Sequence, residues 1–181
     1  MDTTTVEEPI NKTTLTVAIL VSLYFFYYLS SSHEWHFIDN VNLIIHEAGH
    51  VVFSVFGRFM NILGGSLLQV VFPSIFVGYF YVHRDFFSAS LVLFWVGQNF
   101  INVSVYAGDA IVMQLPLLGG DSVLHDWNTL LSMMNILKYT PHISSGLYFI
   151  GSICVCVACG ASIICSQPQW LRSLKSEVLH Q

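Results

Sequence analysis

At 181 residues the chain is long enough for one compact unit, and no internal repeat divides it. Hydrophobic residues make up 54% and charged residues 9%, with a formal net charge of −5 and a mean hydropathy of +0.64. A soluble domain carries roughly a quarter charged residues, and the six Lys and Arg form no basic patch, so a soluble domain and a nucleic-acid binder are both excluded. The expectation is a single integral membrane domain over residues 1–181: an all-α, polytopic helical bundle with about five transmembrane segments.

The first apolar segment, about Thr14 to Leu29, is near the lower length limit for a span and can also act as an uncleaved signal anchor. Acidic Glu7 and Glu8 precede it and no small-x-small cleavage site follows it, so a removed signal peptide is not expected. Ser31 to Asn40, with His33, Glu34, His36 and Asp39, reads as a polar connector carrying an interfacial Trp35.

The second span, about Val41 to Gly57, contains His46-Glu47-Ala48-Gly49-His50. Helical residues four apart share a face, so His46 and His50 can aim ring nitrogens at one metal ion. Glu47 is placed to act as general base on a metal-activated water. Two histidines and an acid are costly to bury in an apolar helix without partners, which favours a metal site over a satisfied core histidine. Asn42 lies one turn before His46 on the same face, and Gly49 permits close approach of a neighbour.

The third span, about Ile62 to Val82, starts with Gly64-Gly65 and contains Gln69 and Pro73; the proline is expected to kink or break it. In the fourth, about Phe86 to Met113, Gln98, Asn102, Tyr106 and Asp109 fall on one helical face. Such a stripe must face protein or a cavity. Interhelical hydrogen bonding accounts for Gln98 and Asn102 as well as a functional role does; Asp109 is expected to meet a metal, its ligands or water. Pro116 and Gly119-Gly120 mark a turn, after which Asp121, His125 and Asp126 crowd into six positions. Asn128 to Leu137 reads as a short helix, and the last span runs from about Ile143 to Cys165. Its cysteines, Cys154, Cys156, Cys159 and Cys165, lie beside Gly151, Ala158, Gly160 and Ala161 and read as a small-residue packing face, without a disulfide framework.

These residues resemble a family. A H-E-x-x-H inside a membrane helix, followed two spans later by a Pro/Gly-rich turn with an aspartate, is similar to the site-2 protease class of intramembrane zinc metalloproteases. The likeness covers about Val41 to Trp127, the expected metal-site core. The family's second motif ends in Asp-Gly, whereas Gly119-Gly120-Asp121 places its glycines first. The chain also resembles small uncharacterised bacterial membrane proteins with a similar H-E-A-G-H, G-Q-N and H-D-W arrangement, which implies a bacterial inner membrane.

A catalytic zinc site takes three protein ligands and keeps one position open. His46 and His50 supply two. The third is His125, Asp121, Asp126 or Asp109. Imidazole suits zinc, and Asp126 stands ready to orient His125, so His125 is favoured; the family likeness favours Asp121 or Asp109. His33, His36, His83, His142 and His180 lie near span ends or in the tail and are expected at the interface or in solvent. The expected function is zinc-dependent hydrolysis of peptide bonds in membrane-embedded, single-span protein substrates, with lipid as the other partner and Glu47 moving the proton. The alternatives are a non-catalytic zinc-binding membrane protein, which has no need of Glu47, and a small transporter, which would be expected to show paired half-helices or repeats. With five spans, Lys12, Arg58 and Lys138 fall on one side and Arg84, Arg172 and Lys175 on the other, so basic residues favour neither orientation.

Overall fold

The computed structural model describes residues 11–116, 118 and 124–167. Among these residues six α-helices follow one another: α1 (Lys12–Ser30), α2 (Phe37–Phe53), α3 (Arg58–Val82), α4 (Phe86–Gly108), α5 (Asp126–Met133) and α6 (Thr140–Cys165). There is no strand among the described residues. Among the described residues four helical segments, Lys12–Ser30, Arg58–Val82, Phe86–Gly108 and Leu137–Cys165, are long and apolar enough to cross a membrane. The protein is therefore a polytopic helical membrane bundle, as its composition requires. The helix α2 falls short of the other four. Its 17 residues extend about 25 Å against a hydrocarbon core of about 30 Å.

The central element is α4, which packs on α6, α3 and α1. Its inner face is almost wholly buried, from Ala89 to Ala107. The apolar core joins Phe25 and Tyr28 of α1, Phe94 and Ile101 of α4, and Val155 and Ala158 of α6. Phe25 and Phe94 stack with centroids 5.1 Å apart. Outward-facing large side chains such as Leu20, Leu23, Ile75, Phe149 and Ile153 are exposed, which suits a surface solvated by lipid. The cysteines are free and lie on the packing and outer faces of α6.

Between α2 and α3 the chain makes one tight 3-10 turn, Ser54–Phe56, and then reverses at Gly57. Its φ of +89° lies in the region that glycine reaches without steric cost. The reversal lays α3 antiparallel along α2. A Cβ on Gly49 would strike the backbone of Gly64 and Gly65, so the two helices touch through bare backbone. Pro73 lies inside α3 but does not end it: the helix runs on to Val82. Proline has no N–H for the Gln69 carbonyl, and a membrane helix tolerates that loss among packed neighbours.

Several helix ends differ from the sequence reading: α3 begins at Arg58 rather than Ile62, α5 spans Asp126–Met133 rather than Asn128–Leu137, and two further shifts bear on the site. Asp39 is not part of a connector but lies in the first turn of α2, 2% exposed. The fourth helix ends at Gly108 rather than near Met113. Asp109 ends it there by accepting hydrogen bonds from the backbone N–H groups of Gln114 and Leu115, both at 2.9 Å.

The α4–α6 contact is as close as the α2–α3 one. A Cβ on Gly97 would lie 2.8 Å from the Gly151 carbonyl oxygen, whereas one on Gly160 meets nothing within 4 Å. Gly97→Val is expected to destabilise the bundle by about 1–3 kcal/mol, the usual cost of overpacking, and Gly160→Val to leave it unchanged. Thermal unfolding in detergent, followed by helical circular dichroism, measures the difference.

Candidate metal centre

His46 and His50 project from the face of α2 that meets α3 and α4, and their rings lie 4.9 Å apart. Each ring has its Nδ1 occupied by an oxygen. His50 Nδ1 donates to the Asn61 carbonyl at 2.8 Å, and the Asn61 amide returns a bond to the His50 carbonyl at 2.7 Å. His46 Nδ1 lies 3.1 Å from Gln69 Oε1. Both Nε2 atoms therefore face one point. Asp126 Oδ2 occupies it, 3.0 Å from His46 Nε2 and 3.2 Å from His50 Nε2.

The position of Asp126 comes from the way α5 is anchored. It is the first residue of that helix, where a carboxylate suits the N-terminal dipole. Trp127 Nε1 donates to Ser66 Oγ of α3 at 3.1 Å, and the Asn128 amide donates to the Ala110 carbonyl at 2.8 Å. The Asp126 N–H reaches the Tyr106 hydroxyl at 3.2 Å. Burial raises the Asp126 carboxyl, whereas with no ion bound, hydrogen bonds from Nε2–H groups of His46 and His50 lower it to about 2.

His46, His50 and Asp126 can hold a metal ion: their donor atoms all lie within 4.8 Å of one another. A tetrahedral ion with bonds of about 2.0–2.2 Å separates its donors by about 3.4 Å, close to the 3.0 and 3.2 Å from Asp126 Oδ2 to the two Nε2 atoms. The chemistry of the set agrees. With each Nδ1 facing an acceptor, a neutral ring turns a lone pair toward the carboxylate oxygen. Three lone-pair donors around one point are stable only with protons or a cation between them.

His125 is placed differently from the sequence expectation. It caps α5, with Nδ1 accepting from the Asn128 N–H at 3.3 Å, and its Nε2 faces Asp109 Oδ2 at 3.3 Å. Its ring lies against Tyr106, centroids 4.5 Å apart. Both nitrogens are thus engaged away from His46 and His50, and the residue beside those histidines is Asp126. Asp109 meets His125 rather than the cluster. Asp121, like Gly119-Gly120 and His180, lies outside the described residues. His33, His83 and His142 are exposed, and His36 Nε2 is held by Ser31 at 3.0 Å to its carbonyl.

Glu47 is exposed, close enough to His50 and Tyr106 for its charge to act on both. Behind the cluster lies a polar network that the sequence reading found only in part. Gln98, Asn102 and Asn42 belong to it, and its centre is Asp39. Asp39 Oδ1 accepts from Tyr28 Oη at 3.1 Å, Gln98 Nε2 at 2.8 Å and Asn102 Nδ2 at 3.0 Å; Oδ2 accepts from the His36 N–H at 2.8 Å. Asn42 donates to Gln98 Oε1 at 2.7 Å and accepts from Trp95 Nε1 at 2.9 Å. A signal was present: Asp39, Asn42, His46 and Gly49 fall on one face at helical spacing.

No family model, curated protein or solved structure matches the chain.

Two measurements probe the centre. Asp126→Ala is expected to remove most bound metal from the purified protein, while His125→Asn, which keeps a helix-capping side chain, retains it; elemental analysis of both decides between the two residues. A Cβ on Gly65 would lie 2.5 Å from His46 Nε2. Gly65→Ala is therefore expected to displace the ring and weaken metal binding, whereas Gly78→Ala, with open space around it on the same helix, has no effect on a metal titration.

Proposed function

We propose that the protein is an intramembrane zinc metallopeptidase that hydrolyses peptide bonds of membrane-embedded protein substrates, with a bacterial inner membrane as its location. The observation that carries this reading is the convergence of His46 Nε2, His50 Nε2 and Asp126 Oδ2, with Glu47 next to His46 in the chain, within a bundle of apolar helices. The motif and its setting resemble site-2 proteases, and the carboxylate third donor agrees with that likeness.

His46, His50 and Asp126 would hold the ion. Zinc held there would supply a Lewis acid, able to polarise a carbonyl and to lower the pKa of a water molecule to about 7. Glu47 accepts the proton of the attacking water and passes it to the leaving amine. Two histidines and one carboxylate also serve ferrous iron in other sites. Glu47 favours zinc, because a site of that iron type does not need an adjacent base.

Glu47→Gln keeps the size of the side chain but cannot accept the proton. It is expected to lower cleavage of single-span substrates in liposomes by ~10²–10⁴ while zinc stays bound. His50→Ala is expected to lose both. Cleavage by Glu47→Gln at the wild-type rate would reject the mechanism. A wild-type protein that holds zinc but cuts none of a broad substrate panel would be a non-catalytic metal protein, and one that holds iron would belong to a different chemistry.

A further inference from the structure

The metal centre is reached from within the bundle by one unbroken chain of hydrogen bonds. It starts at Asp39, passes through Asn102 on α4 and Gln69 on α3, and ends at His46. The links measure 3.0, 2.6 and 3.1 Å. Asp39 is 2% exposed and Gln69 3%.

The direction of these bonds follows from chemistry alone. All four contacts of Asp39 come from N–H or O–H groups, so its carboxylate acts only as an acceptor. Asn102 must then present its NH₂ to Asp39 and its oxygen to Gln69. Gln69 must present its NH₂ to Asn102 and its oxygen to His46. An oxygen facing Nδ1 requires a proton there. The Nε2 lone pair is left for the ion. Turning either amide would set two donors or two acceptors against each other in a buried place, at a cost of about 1–3 kcal/mol for each unsatisfied group. His50 needs no such relay, because the Asn61 backbone carbonyl is an acceptor already.

We propose that Asp39 is a positioning residue of the metal centre, fixing the Nδ1-protonated form of His46 through the amides of Asn102 and Gln69. This rests on His46 being a metal ligand. The same carboxylate orders a second amide pair: Gln98 donates to it and accepts from Asn42, which in turn accepts from Trp95. One acidic group thus sets the polarity of the whole network.

The experiment uses the full-length protein in detergent, loaded with cobalt(II). Two readouts are taken: the affinity for the ion, and the exchange with solvent of the paramagnetically shifted Nδ1–H proton of His46. Asp39→Asn replaces a pure acceptor by a group of equal size that also donates. It is expected to weaken binding about 10-fold or more, within the 10–100-fold range for partners of metal ligands, and to speed exchange of that proton. Asn102→Leu cuts the relay without touching either end and is expected to do the same; it serves if Asp39→Asn does not fold. Gln69→Met removes the acceptor and is expected to weaken binding and to speed exchange of the same proton, a readout that loss of packing alone would not move. Wild-type affinity and slow exchange in both Asp39→Asn and Asn102→Leu would overturn the relay and leave the metal centre standing. A wild-type protein that binds no cobalt would overturn the metal centre and the relay with it.

Discussion

A carboxylate enclosed by apolar helices must be surrounded by donors or it will not stay charged, and the arrangement of this bundle follows from how Asp39 meets that constraint. The penalty for burying an ion is several kcal/mol even after relaxation. Each hydrogen bond to a charged group returns roughly 1.5–3 kcal/mol. Four donors from α1, α4 and the start of α2 are enough to offset it. Those donors fix the depth at which α2 sits against α1 and α4. That depth carries His46 and His50 to the place where α3 and α5 complete their surroundings.

Small residues do the complementary work. Gly49, Gly64 and Gly65 let α2 and α3 approach through their backbones, and Gly65 leaves space for the His46 ring. In lipid there is little hydrophobic drive for helices to associate, so close backbone approach and internal hydrogen bonds hold them together. The polar network and the glycine contacts therefore act on the same pair of helices from opposite sides.

The helical membrane architecture was legible in the composition, because long apolar runs admit few other structures. His46, Glu47 and His50 were legible because their spacing is local, set by one helical turn. Asp126 was harder. It was among the candidates, but adjacent residues on a short helix point in different directions, and only the anchoring of Trp127 and Asn128 decides which of His125 and Asp126 faces the histidines. Asp39 was misjudged because the charged residues around it, His33, Glu34 and His36, suggested a surface segment, while its donors are distant in sequence. Pro73 was expected to kink or break its helix; it does not break it, because packing in the bundle lets the helix continue.

His46 and Asp126 are 80 positions apart in the chain. During synthesis the two histidines leave the ribosome early, and their carboxylate partner emerges only after α3 and α4 have been made. A half-built site with two imidazoles holds an ion weakly. Completion of this three-residue cluster is thereby tied to a late step of synthesis: it is assembled only when α5 has come to rest against α3 and α4. A chain stalled or cut before that helix would carry both histidines of the motif without their carboxylate partner.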